Sequence, residues 1–261
     1  MPLKRIAIFA ATPWEMRAVR SAFPPGSGRQ IAGPSGFVHT VGDREYWLVQ
    51  TGVGLEKARH SAAQLIDGRP FSLMISTGFA CALVAADIGA LLVGREVVYK
   101  TGSSGELSPV TAVPGDERDH VLAFVETLVP PAHIGRFVST DRIIGRASDK
   151  EQFARSTQAI GLDMESSVLA AHAHRMQVSF VIIRAVSDLL DEDLPLDFNL
   201  FLRPTGWLKG LGTVLAAPSC LLGLGRLRRQ SAVAAEALTT FFRRYTAAMA
   251  TERQEREFSP T

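Results

Sequence analysis

The chain has 261 residues, of which 46% are apolar and 21% are charged, a balance typical of a globular protein with a sizeable core. The formal net charge of +2 is too small to indicate a nucleic-acid partner. No apolar run is long enough to span a bilayer, and the N-terminus resembles a strand more than a signal peptide. We therefore expect a cytoplasmic protein whose two cysteines, Cys81 and Cys220, are reduced thiols.

Short apolar runs alternate with helical patterns along the chain. The apolar runs predict strands over residues 5–10, 46–51, 72–77, 95–99, 135–139 and 179–186. The helical patterns predict helices over residues 13–22, 55–67, 117–128, 149–156, 164–175 and 231–249. Because such alternation is typical of βαβ units, we predict a single-domain, three-layer αβα protein with a central mixed twisted sheet.

The C-terminal region differs from the rest in composition. Residues 203–230 contain several arginines, leucines and glycines and one lysine, Lys209, but no acidic residue. We predict one domain over residues 1–250, with residues 203–249 as a variable basic and apolar extension of it. The charged tail over residues 251–261 is expected to be frayed.

The first candidate for a functional residue is Glu15, which follows the first predicted strand. Thr12 is suited to cap the next helix and Pro13 to occupy its first turn, so Glu15 falls near the positive end of the helix dipole. Glu15 therefore either stabilises this helix or faces a ligand at the strand end.

Two glycine turns also follow predicted strands. They are Thr51-Gly-Val-Gly54 and Ser76-Thr-Gly-Phe-Ala-Cys81. Glycine lets a backbone N–H group approach a ligand, and Gly78 could permit close approach of a sugar or an anion. The alternative for both segments is a structural turn without a ligand.

Two acidic sites complete the set of candidates. Asp163 and Glu165 flank Met164 at the start of a predicted helix, where Asp163 could cap the helix and leave Glu165 facing a pocket. Asp188 ends an apolar strand, where an unsatisfied charge would be costly. Ligands of open α/β sheets bind at the carboxyl ends of the strands, so these carboxylates are candidates for a general acid or base. The alternative is that they only cap helices.

The histidines are dispersed along the chain. His172 and His174 lie two positions apart on a predicted helix and do not share a face. The pattern supports neither a metal site nor a Ser-His-Asp triad, and we expect no metal and no organic cofactor.

Taken together, roughly residues 5–202 resemble the nucleoside phosphorylase and nucleosidase superfamily, and above all its methylthioadenosine/S-adenosylhomocysteine nucleosidase group. The resemblance is carried by the order and spacing of Ala11-x-x-x-Glu15, Thr51-Gly-Val-Gly54, Thr77-Gly-Phe-Ala80, Ser139-Thr-Asp141, Asp163-Met-Glu165, Arg184-Ala-Val-Ser-Asp188 and Phe198-Asn-Leu-Phe201. It implies cleavage of the N-glycosidic bond of an adenosine-type purine nucleoside with an apolar 5′ substituent.

The resemblance also implies roles for single residues. Asp188 would act as the general acid at N7 of the purine, and Glu15 would position or deprotonate the attacking water. The substrate-binding residues would be Glu165 at the ribose hydroxyls, Met164 under the sugar, Ile144 near the base, Phe198 at the 5′ substituent, and Gly78 and Phe79 in the third loop. These roles suit a reaction that builds positive charge on the ribose and negative charge on the base.

Three positions depart from the family pattern. Phe79-Ala80-Cys81 stands where small Ser-Ala-Gly residues are usual, Ile143 where an aromatic normally stacks on the base, and Asp163 where Glu is usual. A non-catalytic nucleoside-binding protein is therefore an alternative function.

Hydrolysis and phosphorolysis are both open at this point. Hexameric purine nucleoside phosphorylases place an arginine at the position of Ser76, so inorganic phosphate would need another cation here, such as Arg17, Arg20 or Arg142. Glu15 would also repel a phosphate dianion. We therefore expect water as the nucleophile, with phosphorolysis as the alternative.

The C-terminal region, with Pro218 and Leu224-Gly-Arg-Leu-Arg-Arg229, is similar to the hopanoid-associated branch of the superfamily. Proteins of that branch are described as phosphorylases that remove adenine from an adenosyl-lipid. The similarity implies an adenosyl-lipid such as adenosylhopane as an alternative substrate, and weak contact of residues 203–230 with a membrane surface. Packing of this segment on the core or on a partner subunit is the other alternative. Family members assemble as oligomers, and we expect a homodimer.

Overall fold

The structure is a computed structural model that describes residues 3–31, 35–66, 68–100, 107–110, 113–196, 198–199 and 219–258. Its strands are β1 (Lys4–Ala10), β2 (Arg29–Gln30), β3 (Gly36–Val41), β4 (Arg44–Gln50), β5 (Leu73–Ala82), β6 (Leu91–Lys100), β7 (Leu107–Val110), β8 (His133–Thr140), β9 (Ala159–Asp163) and β10 (Ser179–Asp188). Its helices are α1 (Pro13–Arg20), α2 (Leu55–Ile66), α3 (Asp116–Glu126), α4 (Ala147–Thr157), α5 (Ser166–Arg175) and α6 (Ser219–Phe258). Each predicted strand and helix is present with shifted ends, and the predicted α/β class is confirmed.

The strands in the described part of the chain form one mixed sheet that partly closes on itself. β1 pairs in parallel with β4 and β5, and β10 pairs in parallel with β5. β10 also pairs with β6, β6 with β8 and β8 with β9, and β9 returns to β5, so these five strands form a ring. The carboxyl ends of β1, β4, β5 and β10 therefore meet at one edge of the sheet.

The side chains of β1 alternate between two cores. Ile6 and Ile8 pack with apolar residues of α1, α3 and α6, whereas Ala7 and Phe9 pack with residues of α2 and α5. Burial on both faces with a period of two is typical of a central strand that has helices on either side. The predicted three-layer arrangement is confirmed.

Four strands were absent from the sequence prediction, namely β2, β3, β7 and β9. Of these, β9 bears most directly on the site because it leads into Asp163. Its short sequence is interrupted by Gly161, which reads as a loop residue. The glycine is nevertheless required within the strand, since a Cβ atom there would lie 2.8 Å from Cδ1 of Leu92.

Helix α6 begins before the predicted residue 231 and runs through Phe258, into the stretch that we expected to be frayed. Its buried stripe contains Ala234, Leu238, Phe241, Phe242 and Tyr245. Within the basic extension, residues 203–218 lie outside the described residues, so the domain division and the role of this extension stay predictions. None of the described helices combines the length and the apolar character needed to cross a membrane.

Candidate active site

Three carboxylates from separate segments line one cavity. Glu15 on α1, Glu165 after β9 and Asp188 at the end of β10 border a space of about 230 Å³. The other lining residues are Ala11, Thr12, Val53, Phe79, Ala80, Cys81, Ile143, Ile144, Leu162, Asp163, Met164, Arg184, Ser187 and Leu194. The cavity lies where the carboxyl ends of β1, β5 and β10 meet, which is the expected position of a ligand in such a sheet.

Glu15 is fixed from two sides. The Thr12 hydroxyl caps α1 by accepting a hydrogen bond from the Glu15 N–H, and Glu15 Oε2 accepts one from the Thr12 N–H at 2.7 Å. Glu15 Oε1 accepts a hydrogen bond from the Phe79 N–H at 2.7 Å. Glu15 therefore stabilises the helix and also borders the cavity, and its contact with a ligand stays a prediction.

Glu165 is a buried carboxylate with one backbone donor. Its Oε1 accepts a hydrogen bond from the Gly54 N–H at 2.8 Å, so the turn Thr51-Gly-Val-Gly54 contacts the site through this bond. Burial raises the pKa of Glu165 to about 7, although the nearby Arg184 guanidinium acts in the opposite direction. A carboxylate that titrates near neutrality in a cavity is typical of a functional site.

This raised pKa predicts a pH-dependent stability. Between the ordinary pKa of 4.5 and the folded pKa of about 7, the folded protein binds more protons at Glu165 than the unfolded chain, so stability falls as the pH rises through this interval. The neutral amide of E165Q removes this cost. We expect the Tm difference, E165Q minus wild type, to be more positive at about pH 8 than at about pH 5, and calorimetry measures both values. A Tm difference that is the same at both pH values, as expected for the exposed control E126Q, would contradict the assignment.

A buried arginine links the acidic residues, and the sequence analysis gave it no role. Arg184 is 2% exposed, and its Nη2 lies 2.9 Å from Oδ2 of Asp163 and 3.7 Å from Oε2 of Glu165. The same nitrogen donates to the Ser76 hydroxyl at 3.0 Å. Burial opposes the charge, but Asp163, Glu165 and Glu15 together raise the pKa of Arg184. The guanidinium is therefore held as a cation and is already balanced by carboxylates.

Asp163 contacts the first turn of α5, as predicted, but the N-cap position itself is Glu165. Oδ1 of Asp163 accepts hydrogen bonds from the Ser166 N–H at the start of α5, at 3.2 Å, and from the Ser139 hydroxyl, at 2.6 Å. The Ser139 hydroxyl in turn accepts from the Ser167 N–H at 2.9 Å. Asp163 thus ties β8 to the start of α5 and leaves Glu165 to face the cavity.

Gly78 lies behind the site. Its φ angle is +137°, and a Cβ atom at this position would collide with Oε1 of Glu15 and would lie 2.7 Å from Nη1 of Arg184. Only glycine permits this approach. Gly78 makes room for Glu15 and Arg184 and is not among the described lining residues, so its predicted role in substrate binding stays a prediction.

Asp188 is partly exposed to the cavity and is paired with a lysine. Its Oδ2 lies 2.9 Å from Nζ of Lys150 on α4, and its Oδ1 accepts from the Ser187 hydroxyl at 3.2 Å. The described residues 189–196 contain no helix, so the alternative that Asp188 caps a following helix is wrong. The sequence analysis did not find Lys150, although it shares a helical stripe with the buried Phe153 and Thr157.

The apolar wall of the cavity contains Phe79, Ile143, Ile144 and Met164. The Ile143 backbone is held by Asn199, whose Oδ1 accepts from the Ile143 N–H at 2.7 Å and whose Nδ2 donates to the Ile143 carbonyl at 2.8 Å. These two bonds fix the loop on which Ile143 and Ile144 lie.

Phe198 was expected at the 5′ substituent. It is not among the described residues that line the cavity. Its neighbours at positions 197 and 200–218 lie outside the described residues, so this role stays a prediction.

A larger groove of about 1110 Å³ lies elsewhere on the molecule. It is lined mainly by apolar residues of segments 84–91 and 128–131 and of α6, and it contains none of the three site carboxylates. The described residues also contain no group of three or more His, Cys, Asp and Glu side chains that could hold a metal ion. The smaller cavity is therefore the candidate active site.

The family model of the phosphorylase superfamily matches residues 5–203. The chain belongs to the phosphorylase superfamily. A 5′-methylthioadenosine/S-adenosylhomocysteine nucleosidase of Staphylococcus haemolyticus is 31% identical over 177 residues, which cover 62% of this chain and 76% of that protein.

Solved structures show the same fold. The S-adenosylhomocysteine nucleosidase of Streptococcus pyogenes, in complex with 5-methylthiotubericidin, aligns with a TM-score of 0.63 at 19% identity, covering 94% of this chain and 98% of that one. The futalosine hydrolase of Helicobacter pylori aligns with a TM-score of 0.68 at 14% identity, covering 95% and 98%. At these identities the structures show the fold alone. The family model confirms the resemblance of residues 5–202 to the superfamily, whereas the similarity of the C-terminal region to the hopanoid-associated branch stays a prediction.

Proposed function

We propose that this superfamily member hydrolyses the N-glycosidic bond of an adenosine-type nucleoside with an apolar 5′ substituent, such as 5′-methylthioadenosine. The observation that carries the proposal is the convergence of Glu15, Glu165 and Asp188 on one cavity. The named nucleosidase relatives support the same reaction class.

The three carboxylates divide the chemistry between the base, the sugar and the water. Asp188 donates a proton to N7 of the purine while the bond between N9 and C1′ breaks, so that the base leaves as neutral adenine. Ionised Glu165 accepts hydrogen bonds from the ribose hydroxyls and stabilises the positive charge that develops on the sugar. Glu15 accepts the proton of the water whose oxygen forms the new bond to C1′.

The charges around the cavity support water as the nucleophile. Arg184 borders the cavity, but Asp163 and Glu165 already balance its charge. The other cations considered from the sequence, Arg17, Arg20 and Arg142, are not among the lining residues of this cavity. Arg17 and Arg20 line a separate depression with Arg243. A phosphate dianion would therefore meet Glu15 without a free counter-charge among the residues that line the cavity, which favours hydrolysis.

The nucleophile has a direct test. We expect the wild-type protein to release adenine from 5′-methylthioadenosine in phosphate-free buffer, with the free methylthioribose sugar as the second product. Addition of phosphate should change neither the rate nor the products, measured by chromatography with mass detection. Formation of the sugar 1-phosphate would show phosphorolysis instead. Tight binding of the nucleoside without release of base under either condition would favour the non-catalytic binding protein.

Three further expectations belong to this proposal. The protein acts in the cytoplasm. It forms a homodimer, and light scattering of the full chain would measure the mass of this assembly.

The membrane contact of residues 203–230 is tested by charge reversal at Arg226, Arg228 and Arg229. Negligible binding to anionic liposomes both before and after the reversal would remove the expected membrane contact.

A further inference from the structure

Lys150 is a fully buried cation next to the proposed general acid. Its side chain is 0% exposed, and its Nζ lies 2.9 Å from Oδ2 of Asp188. The same nitrogen donates to the backbone carbonyls of Leu189 and Glu192, each at 2.8 Å. An ammonium group has three N–H donors, and here each donor has a partner. The two carbonyls in the turn that follows β10 therefore hold the ammonium group so that its third N–H points to Asp188.

The Asp188 carboxylate is the only charged partner of Lys150 among the described residues. Carbonyl groups satisfy hydrogen bonds but carry no net charge, so Asp188 is needed to offset the burial of the ammonium. In the described part of the chain, Cys81 of β5 also faces this pair. Burial first, then the Asp188 carboxylate, raise the pKa of the Cys81 thiol, so that it stays neutral. Lys150 and Asp188 thus form an isolated ion pair at the edge of the cavity.

We propose that Lys150 is a positioning residue for the general acid, and this inference rests on the proposed function. Its ammonium holds Oδ2 of Asp188 in place, so that the proton is carried on Oδ1, which also accepts from the Ser187 hydroxyl. The reactive form carries a proton on Asp188. During the reaction that O–H bond breaks and the N–H bond at N7 forms, while the electrons of the bond between N9 and C1′ pass to the purine, and the ion pair with Lys150 is restored. Asp188 becomes a carboxylate in this step, and Lys150, which remains protonated, stabilises the charge that appears.

This arrangement predicts a characteristic pH profile. Replacement of Lys150 by a neutral residue removes the cation that lies 2.9 Å from Asp188, so the pH profile of an activity that requires the proton of Asp188 should change. In K150M we expect kcat at the optimum to fall on the order of 10²-fold and the alkaline decline of activity to move to higher pH. K150R keeps the cation and should retain the position of that decline. A purely structural role would lower kcat without moving the profile.

The matched control is K100M. Lys100 is also a buried lysine that contacts α4, where its Nζ donates to the Ser156 hydroxyl at 2.8 Å, but it does not touch Asp188. We expect K100M to keep the wild-type profile. If K150M does not fold, K150Q provides a neutral side chain that can still donate to the two carbonyls. A folded K150M or K150Q with an unchanged pH profile would overturn the proposal.

A second measurement separates this inference from the proposed function. The carboxyl ¹³C resonance of Asp188, assigned by its absence in D188N, can be titrated without any substrate. We expect it to titrate at higher pH in K150M than in wild type, and an identical titration would overturn the inference. If the wild-type protein cleaves no nucleoside, the proposed function fails. The comparison of the two titrations still decides whether Lys150 affects the protonation of Asp188.

Discussion

D188N should release adenine from 5′-methylthioadenosine about 10²- to 10⁴-fold more slowly than the wild type, because an amide cannot donate the proton that N7 needs. The amide side chain of D188N keeps an oxygen that can accept the hydrogen bond from Lys150, so the protein should still fold. Steady-state assays of adenine release give kcat, and circular dichroism confirms the fold.

The control for this substitution is D191N. Asp191 lies three positions further along the chain, is exposed and does not line the cavity. Its replacement should leave kcat within about twofold of wild type, since exposed carboxylates outside a site contribute little. Equal activity of D188N and D191N would mean that Asp188 is not the general acid.

The second large effect is expected for E15Q. The amide side chain of this variant cannot take a proton from water, so we expect kcat to fall on the order of 10²- to 10⁴-fold. KM should change far less, because Glu15 acts on the water and not on the nucleoside. Single-turnover kinetics report the rate of the chemical step, and a separate binding measurement reports the affinity for the nucleoside, so the two effects can be distinguished.

Because Glu15 also belongs to a capping box, its helix-stabilising role needs a control. Glu56 occupies the first turn of α2, and its side chain is 80% exposed and remote from the cavity. E56Q should alter stability by only a few tenths of a kcal/mol and leave kcat unchanged. If E15Q behaves in the same way, Glu15 serves only the helix and the proposed water-activating role is wrong.

The architecture was predictable because its central strands are continuous apolar runs. The run that becomes β10 is buried on both faces, so its end had to lie at the edge where ligands bind, and Asp188 followed from that position. Glu15 was located because it follows the first apolar strand, and because Thr12 and Pro13 mark the start of a helix there. In both cases the sequence next to the residue was enough to predict its place at the carboxyl end of a strand, where the cavity lies.

Arg184 and Lys150 were harder to assign because their surroundings come from distant segments. Arg184 meets Asp163 and Ser76 only when β5, β9 and β10 pair, and nothing in its own strand predicts those partners. Lys150 lies in a stretch rich in charged residues, and such a stretch is usually predicted to be exposed to solvent. Its position three residues before Phe153 was the one available signal that it lies on the buried face of α4.

β9 was missed for a related reason. Five residues with a central glycine do not form a strand pattern by themselves, and pairing with β8 and β5 stabilises the strand. The clamp of Asn199 on Ile143 likewise joins residues that are far apart in sequence. Such contacts follow from the fold and not from local propensity.

The most direct test is a crystal structure of the protein with a 5′-methylthio nucleoside analogue whose base is joined to the sugar by an uncleavable carbon link. We expect the carboxyl group of Asp188 within hydrogen-bonding distance of N7, Glu165 at the ribose hydroxyls, and a water molecule between Glu15 and C1′. A nucleoside bound in the larger apolar groove, or one whose base lies away from Asp188 and whose sugar lies away from Glu165, would contradict the account.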